Sequence, residues 1–314
     1  MKIIFVNWTK PFFHRDKFDG YKKDITIVDE GGEYQLQPYE LYMQLAAITS
    51  AKKFGGVPIK LYTDTVGYDY YTKIGFIDLF DEIDIDVLNK LDSTLVNPAQ
   101  FWTSGKIFSI CHEKPPFIFL DLDLIIKSPL PKWLFNYDVV HTHWEMLRGH
   151  MFIHDYQLRE IKLHMPEFEE RMAIPNTSFL FINNNLLLKK YRELHMRIVN
   201  KTYERVSDWL WLMSDQNILG YTIRNLDLKV GDIENRIFIQ FADPYDKRHM
   251  QGYISDWMEY DGCEKNIPKI EYDHIWLKKS HIVNNEEYRT KRINDFKHIT
   301  IDNGYESYLS KLSS

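Results

Sequence analysis

Asp121 and Asp123 stand one residue apart at the end of the apolar run Phe117-Ile118-Phe119-Leu120, and Leu124-Ile125-Ile126 follows them. An ionised carboxylate beside a core is costly unless a compensating charge lies close. A divalent cation taking oxygen ligands supplies that charge, and such a cation commonly holds a diphosphate. The plain alternative is a turn in which the two aspartates accept hydrogen bonds from nearby backbone amides.

Elements must position that couplet. Ile3–Val6 reads as a buried strand ending at Asn7-Trp8-Thr9, and the polar stretch through Gly31-Gly32 as a long loop. Pro38 opens a helix with Leu41, Leu45 and Ile48 on one face, and Gly55-Gly56 with Pro58 stops it. Ile59–Thr63 is a second strand, delivering Asp64 to its carboxyl end. Asn97-Pro98-Ala99-Gln100 reads as a helix start, with a cap, a proline in the first turn and a capping-box glutamine. That helix should run to about His112. Phe117–Leu120, Val139–His141 and Phe179–Ile182 are further strands. Helical patterns follow at Leu187, Tyr191, Leu194 and Ile198, again from Val206 to Leu219, and in the charged tail from Glu286. Strands alternating with helices imply an α/β fold, a mostly parallel central sheet flanked by helices. Ligands of such sheets sit beyond the carboxyl ends of the strands, where Asn7, Asp64 and Asp121 all fall. With no repeat or linker evident, one domain over residues 1–314 is expected, a nucleotide-binding part to about 125 and the remainder from 126.

Composition removes several classes. A formal net charge of −6 argues against a nonspecific nucleic-acid binder. Cys111 and Cys263 are the only cysteines, which excludes a disulfide framework and a cysteine-based zinc site. The apolar opening, four residues long, is too short for a signal peptide core or a membrane span, so a cytoplasmic protein without a transmembrane segment is expected. No Gly-x-Gly-x-x-Gly follows the first strand, which disfavours dinucleotide oxidoreduction. Aromatic residues reach 15%, a share that suits a sugar- or base-facing surface but fits core filling first.

The segment Phe-Ile-Phe-Leu-Asp121-Leu-Asp123 resembles the metal-binding signature of GT-A glycosyltransferases, Rossmann-like enzymes that use nucleotide-sugar donors. The order of other features is similar to the retaining glycogenin and bacterial galactosyltransferase types and to poorly described bacterial and viral relatives. Lys60-Leu-Tyr-Thr-Asp64 resembles their second strand. Phe101-Trp-Thr-Ser-Gly-Lys106 resembles the helix that turns a basic side chain to the donor. Pro175-Asn176-Thr177-Ser178 resembles the strand entry that contacts the sugar, with Ser178 in place of the usual glycine. Ser214-Asp215-Gln216 resembles the Asp-Gln motif beside the anomeric carbon, and Tyr272-Asp273-His274 to Lys279 the segment whose histidine completes the metal shell. The spacing from His274 to Lys279 is shorter than the common pattern.

The resemblance implies a metal-dependent transfer of a sugar from a nucleotide donor, a UDP-sugar, to a saccharide or other hydroxyl acceptor, with retention, as in polysaccharide biosynthesis. Asp121, Asp123 and His274 would hold Mn²⁺ or Mg²⁺, His281 being the rival for the third place; a nitrogen ligand favours Mn²⁺. Asn7, Trp8, Asp64, Lys106, Asp121, Lys278 and Lys279 would contact the nucleotide, the lysines as point charges on phosphate. Asn176, Asp215 and Gln216 would shape the sugar and the reacting carbon. Each has an ordinary alternative: a strand-end turn for Asp64, a core ring for Trp8, a solvated helix residue for Lys106, a turn for Asn176, a helix cap for Asp215. Histidines cluster from His141 to His164 (His141, His143, His150, His154, His164), where a loop lining an acceptor pocket, with Trp144 and Glu145, is favoured over a second metal site. Trp209 and Trp211 could stack on a sugar, helix packing being the default. Two other classes stay open: a binding module without turnover, and a haloacid-dehalogenase-type phosphatase, whose first aspartate attacks phosphorus.

Overall fold

The computed structural model describes residues 1–17, 27–28, 32–146, 159, 162, 174–202, 215–234, 237–239, 270–275 and 279–312. The chain divides into two compact units. Unit 1 comprises Met1–Thr94, Ile118–Pro131 and Ile270–Ser314; unit 2 comprises Leu95–Phe117 and Lys132–Lys269. Among the described residues no helix is long and apolar enough to cross a membrane.

In unit 1, β1 (Ile3–Asn7) is followed by the short pair β2 (Ile27–Val28) and β3 (Tyr34–Gln35), then α1 (Pro38–Gly55). Next come β4 (Ile59–Thr63), α2 (Thr65–Lys73), β5 (Glu82–Asp84), α3 (Asp86–Asp92), β6 (Phe117–Leu120) and β7 (Leu124–Ile126). The main strands lie in the order β6-β1-β4-β5, every pair parallel. β1 and β6 are almost wholly buried, as continuous apolar runs between two helical layers must be. The parallel order sets Asp121, Asn7 and Asp64, the residues at or just beyond three strand ends, side by side along one carboxyl edge.

α1 starts and stops as the sequence requires. Pro38 occupies its first turn, Glu40 Oε2 accepts from the Gln37 amide at 3.0 Å, and Gly56 ends it at φ 62°. Its Tyr39, Met43, Ala46 and Ala47 pack with Ile125, Ile275, Ile282 and Phe296, a core that joins β7 to the C-terminal helices Lys279–Asn284 and Glu286–Asp302.

In unit 2, α4 (Ser104–His112) precedes β8 (Val139–His141), β9 (Trp144–Met146), β10 (Ile174–Pro175) and β11 (Phe179–Ile182). The helices Asn185–Thr202 and Asp215–Arg224 follow, then β12 (Val230–Asp232) and β13 (Ile237–Ile239). β8 pairs antiparallel with β11 and parallel with β12. A smaller sheet runs β10-β9-β13, antiparallel then parallel. The fold is α/β, with parallel pairing dominant.

The structure corrects one element. The helix expected from Asn97 begins at Ser104, although it ends at His112 as expected. Asn97 turns its side chain onto the Ala99 amide, and its carbonyl accepts from the amides of Gln100 and Phe101, so the segment closes as a local turn. Gln100 makes no capping box: it is fully buried, and among the described residues its side-chain amide has no hydrogen-bond partner. The first part of the helical pattern from Val206, Trp209 and Trp211 included, lies outside the described residues; Asp215–Arg224 is helical.

Candidate functional site

The Asp-x-Asp couplet occupies the turn between β6 and β7. β7 then runs antiparallel to the strand Tyr272–His274, with His274 opposite Leu124. Ile275 donates its amide to the Asp123 carbonyl at 3.1 Å, so the ladder clamps the histidine beside the couplet. Asp121, Asp123 and His274 each offer one ligand atom, and these atoms all lie within 4.8 Å of one another. One cation can bridge that separation with bonds of about 2.1–2.4 Å, and two carboxylate oxygens with one imidazole nitrogen form a donor set such an ion accepts. His274 Nε2 lies 3.7 Å from Asp123 Oδ1. The rival His281 is exposed, and its ring meets Tyr288 edge-on.

Lys279 completes this group. Its ammonium is 2.6 Å from Asp123 Oδ2. Burial alone would pull its pKa down, but the charge and hydrogen bond of Asp123, with Glu40 and Asp121 behind, raise it above the ordinary 10.5. Lys278 lies outside the described residues. The histidine strand is itself buttressed: Arg292 donates to Asp273 at 2.9 Å and to Asp295 at 3.2 Å.

Asn7 and Asp64 each have close protein partners. Asp64 caps α2, accepting from the Gly67 amide at 2.8 Å, and also takes the Thr9 amide at 2.7 Å and the Thr9 hydroxyl. Burial raises its pKa, and those hydrogen bonds oppose the rise. Gly67 is required here, since a Cβ would stand 2.1 Å from Thr63 Oγ1. Asn7 Oδ1 accepts from Tyr34 at 3.1 Å, while among the described residues its buried Nδ2 has no partner. Trp8 is buried, and its indole N–H donates to Asp92 at 2.8 Å.

Unit 2 holds a second polar group. Lys106, on α4, lies 3.0 Å from Asp215 Oδ2 and donates to Thr177 Oγ1 at 2.8 Å; Thr177 donates to the same carboxylate oxygen. The Asp215 amide donates to Thr103 Oγ1 at 3.2 Å, and Tyr191 donates to the Asp215 carbonyl at 3.0 Å. The helix carrying Asp215 lies close against β10, for a Cβ on Gly220 would meet Pro175 Cδ at 3.0 Å. Gln216 is half-buried at the start of that helix. Asn176 is buried: its Nδ2 donates to Glu145 Oε1 at 2.7 Å, and its Oδ1 accepts from the Ser178 amide at 3.1 Å. His143 faces Glu145 at 3.2 Å and Glu234 at 3.6 Å. His150, His154 and Ser214 lie outside the described residues, as does His164.

Sequence reasoning assigned no role to Thr177, Thr9 or Arg292. Thr177 stands inside a recognised motif, which was the one available signal; the other two act through contacts remote in sequence.

No protein-family model and no curated protein matches this chain. The chain is similar to the crystal structure of the galactosyltransferase LgtC in complex with donor and acceptor sugar analogs, at TM-score 0.42 and 13% identity over 94% of this chain and 96% of that one. It is also similar to mouse xyloside xylosyltransferase 1 in its apo form (TM-score 0.39, 12% identity, 87% and 97% covered). A third similar structure is a nucleoside-diphosphate-sugar pyrophosphorylase from Vibrio cholerae RC9 (TM-score 0.38, 11% identity, 79% and 98% covered). All three scores lie below 0.5, and the side-chain geometry therefore carries the functional conclusion.

Proposed function

We propose that this chain is a metal-dependent glycosyltransferase that moves a sugar from a nucleotide sugar, a UDP-sugar by resemblance, to a saccharide or other hydroxyl acceptor, with retention. The observation that carries the proposal is the gathering of Asp121, Asp123 and His274 ligand atoms at the end of a buried parallel strand, with Lys279 against Asp123. Departure of a nucleoside diphosphate leaves about two negative charges, and Mn²⁺ bound by this trio would neutralise them. Lys279 has the charge and the position to take a phosphate oxygen once Asp123 turns to a cation. Asn176, Asp215 and Gln216 are assigned to the sugar and its anomeric carbon, and Lys106 to the donor, on the motifs that carry the resemblance.

A panel of nucleotide sugars with Mn²⁺, scored for release of nucleotide, tests the proposal. Hydrolysis of one donor that stops with chelator is the expected result. Cation-dependent UDP binding with no turnover of any donor, whatever acceptor is added, would replace it with the binding-module reading.

A further inference from the structure

Within unit 2, β9 and β10 pair antiparallel with Glu145 opposite Ile174 and Trp144 opposite Pro175, and the Asn176 amide continues the ladder onto the His143 carbonyl at 2.8 Å, which leaves the Asn176 side chain within reach of Glu145. Glu145 is 2% exposed, so its carboxylate has left water and depends on protein donors. It receives the Asn176 Nδ2 at 2.7 Å and faces His143 Nε2 at 3.2 Å. On the other side of the same amide, Asn176 Oδ1 accepts from the Ser178 backbone N–H at 3.1 Å and from the Ser178 hydroxyl at 2.5 Å.

These partners settle which way the amide faces. An ionised carboxylate only accepts, and a backbone N–H only donates, so the NH₂ must face Glu145 and the oxygen must face Ser178. An asparagine held at both ends cannot flip. Its NH₂ has two hydrogens, and among the described residues Glu145 takes one and no other acceptor reaches the second. Ser178 is the position where the resembled motif carries glycine, so here the hydroxyl adds a second bond to the lock.

We infer that Glu145 is a positioning residue: with Ser178 it fixes the Asn176 amide so that the site offers a hydrogen-bond donor to a hydroxyl oxygen of the transferred sugar. This rests on the glycosyl-transfer reading above. His143 is not a base toward substrate in this arrangement, because carboxylates face both of its ring nitrogens. Glu145 acts through Asn176, whose amide it holds.

The test uses the full chain, Mn²⁺ and the nucleotide sugar that the panel identifies, with kcat, KM and melting temperature read together. Glu145→Ala should lower kcat about 10²-fold, the cost of a misplaced contact, with a far smaller change in KM. Glu145→Gln, which can still turn an oxygen to Asn176, should keep kcat within about tenfold of the wild type. The exchanged pair Glu145→Gln with Asn176→Asp restores a donor facing an acceptor, but presents an acceptor to the sugar. It should recover the melting temperature and not kcat. Recovery of both in the exchanged pair would show a purely structural contact, and a Glu145→Ala enzyme at full kcat would equally overturn the inference. If Glu145→Ala does not fold, the glutamine and exchanged variants decide. A wild type that turns over no donor removes the transfer reading, and this inference with it; an active wild type with unaffected variants removes only this inference.

Discussion

Each unit pairs a lysine with an aspartate among its candidate site residues, Lys279 with Asp123 in unit 1 and Lys106 with Asp215 in unit 2. Their exposures are similar, and their surroundings differ. Asp123 divides its oxygens, one to Lys279 and one toward His274, and shares a cation-sized space with Asp121. Asp215 receives Lys106 and Thr177 on one oxygen while its backbone is held by Thr103 and Tyr191. On the proposed reading the first pair exchanges partners when a cation enters, while the second is held in place by its neighbours on every side. A lysine beside an aspartate is therefore no guide to role until the rest of the carboxylate's neighbours are known.

The largest effect that can break this contrast is at the couplet. Asp123→Ala should abolish Mn²⁺-dependent UDP binding in calorimetry, and full transfer activity in that variant would refute its assignment. Acid should next separate the units. His195 and His141, both in unit 2, are fully buried, and desolvation lowers each pKa from 6.5 to about 3. For His141 the neighbouring His143 adds to the fall. Between those values the unfolded chain binds a proton that the folded unit refuses, so stability is full above about pH 6.5 and falls as pH drops. The loss is on the order of 3 kcal/mol per histidine at pH 4. Hydrogen exchange followed against pH should show unit 2 opening first, and His195→Gln, which keeps a partner for Ser104, should flatten that slope. Lys279 has the opposite sign: its raised pKa stabilises unit 1 below about 10.5 and that contribution fades as pH climbs further.

Lys106→Met should cost about 2 kcal/mol in urea unfolding, less than the ~3–5 of a fully buried pair because the lysine keeps 14% exposure. Smaller still, Lys279→Met should tighten Mn²⁺ alone by about tenfold, by removing the competitor at Asp123, while weakening UDP binding by a similar factor. If both lysine variants shift stability alone and neither touches metal affinity, the distinction between an exchanging and a static pair is lost.

The longer central strands were readable because burial on both faces leaves unbroken apolar runs, as at Phe117–Leu120 and Phe179–Ile182, while a short strand such as Glu82–Asp84 carries no such run. α1 was readable because its signals agree, with proline at the start and glycine in the left-handed region at the end. α2 and α3 were not foreseen: they are short, and their start depends on Asp64 and Asp84 accepting amides that a sequence does not assign. Asn97 misled because the same side chain that caps a helix can close a turn two residues on. In the site, Asp121 and Asp123 announced themselves as charges where apolar residues were due. His274 became visible only through the resemblance, and the partnership of Glu145 with Asn176 not at all, since it depends on a strand register set by tertiary packing.

The ladder between β7 and Tyr272–His274 ties the imidazole to a stretch of polypeptide synthesised long after the two carboxylates. A nascent chain carries the acidic couplet early but has to wait for its nitrogen donor to be made, and docking then closes a large loop. Manganese affinity measured on chains halted at successive lengths would thus act as a clock for maturation, stepping upward only when the residues around His274 have left the ribosome and docked.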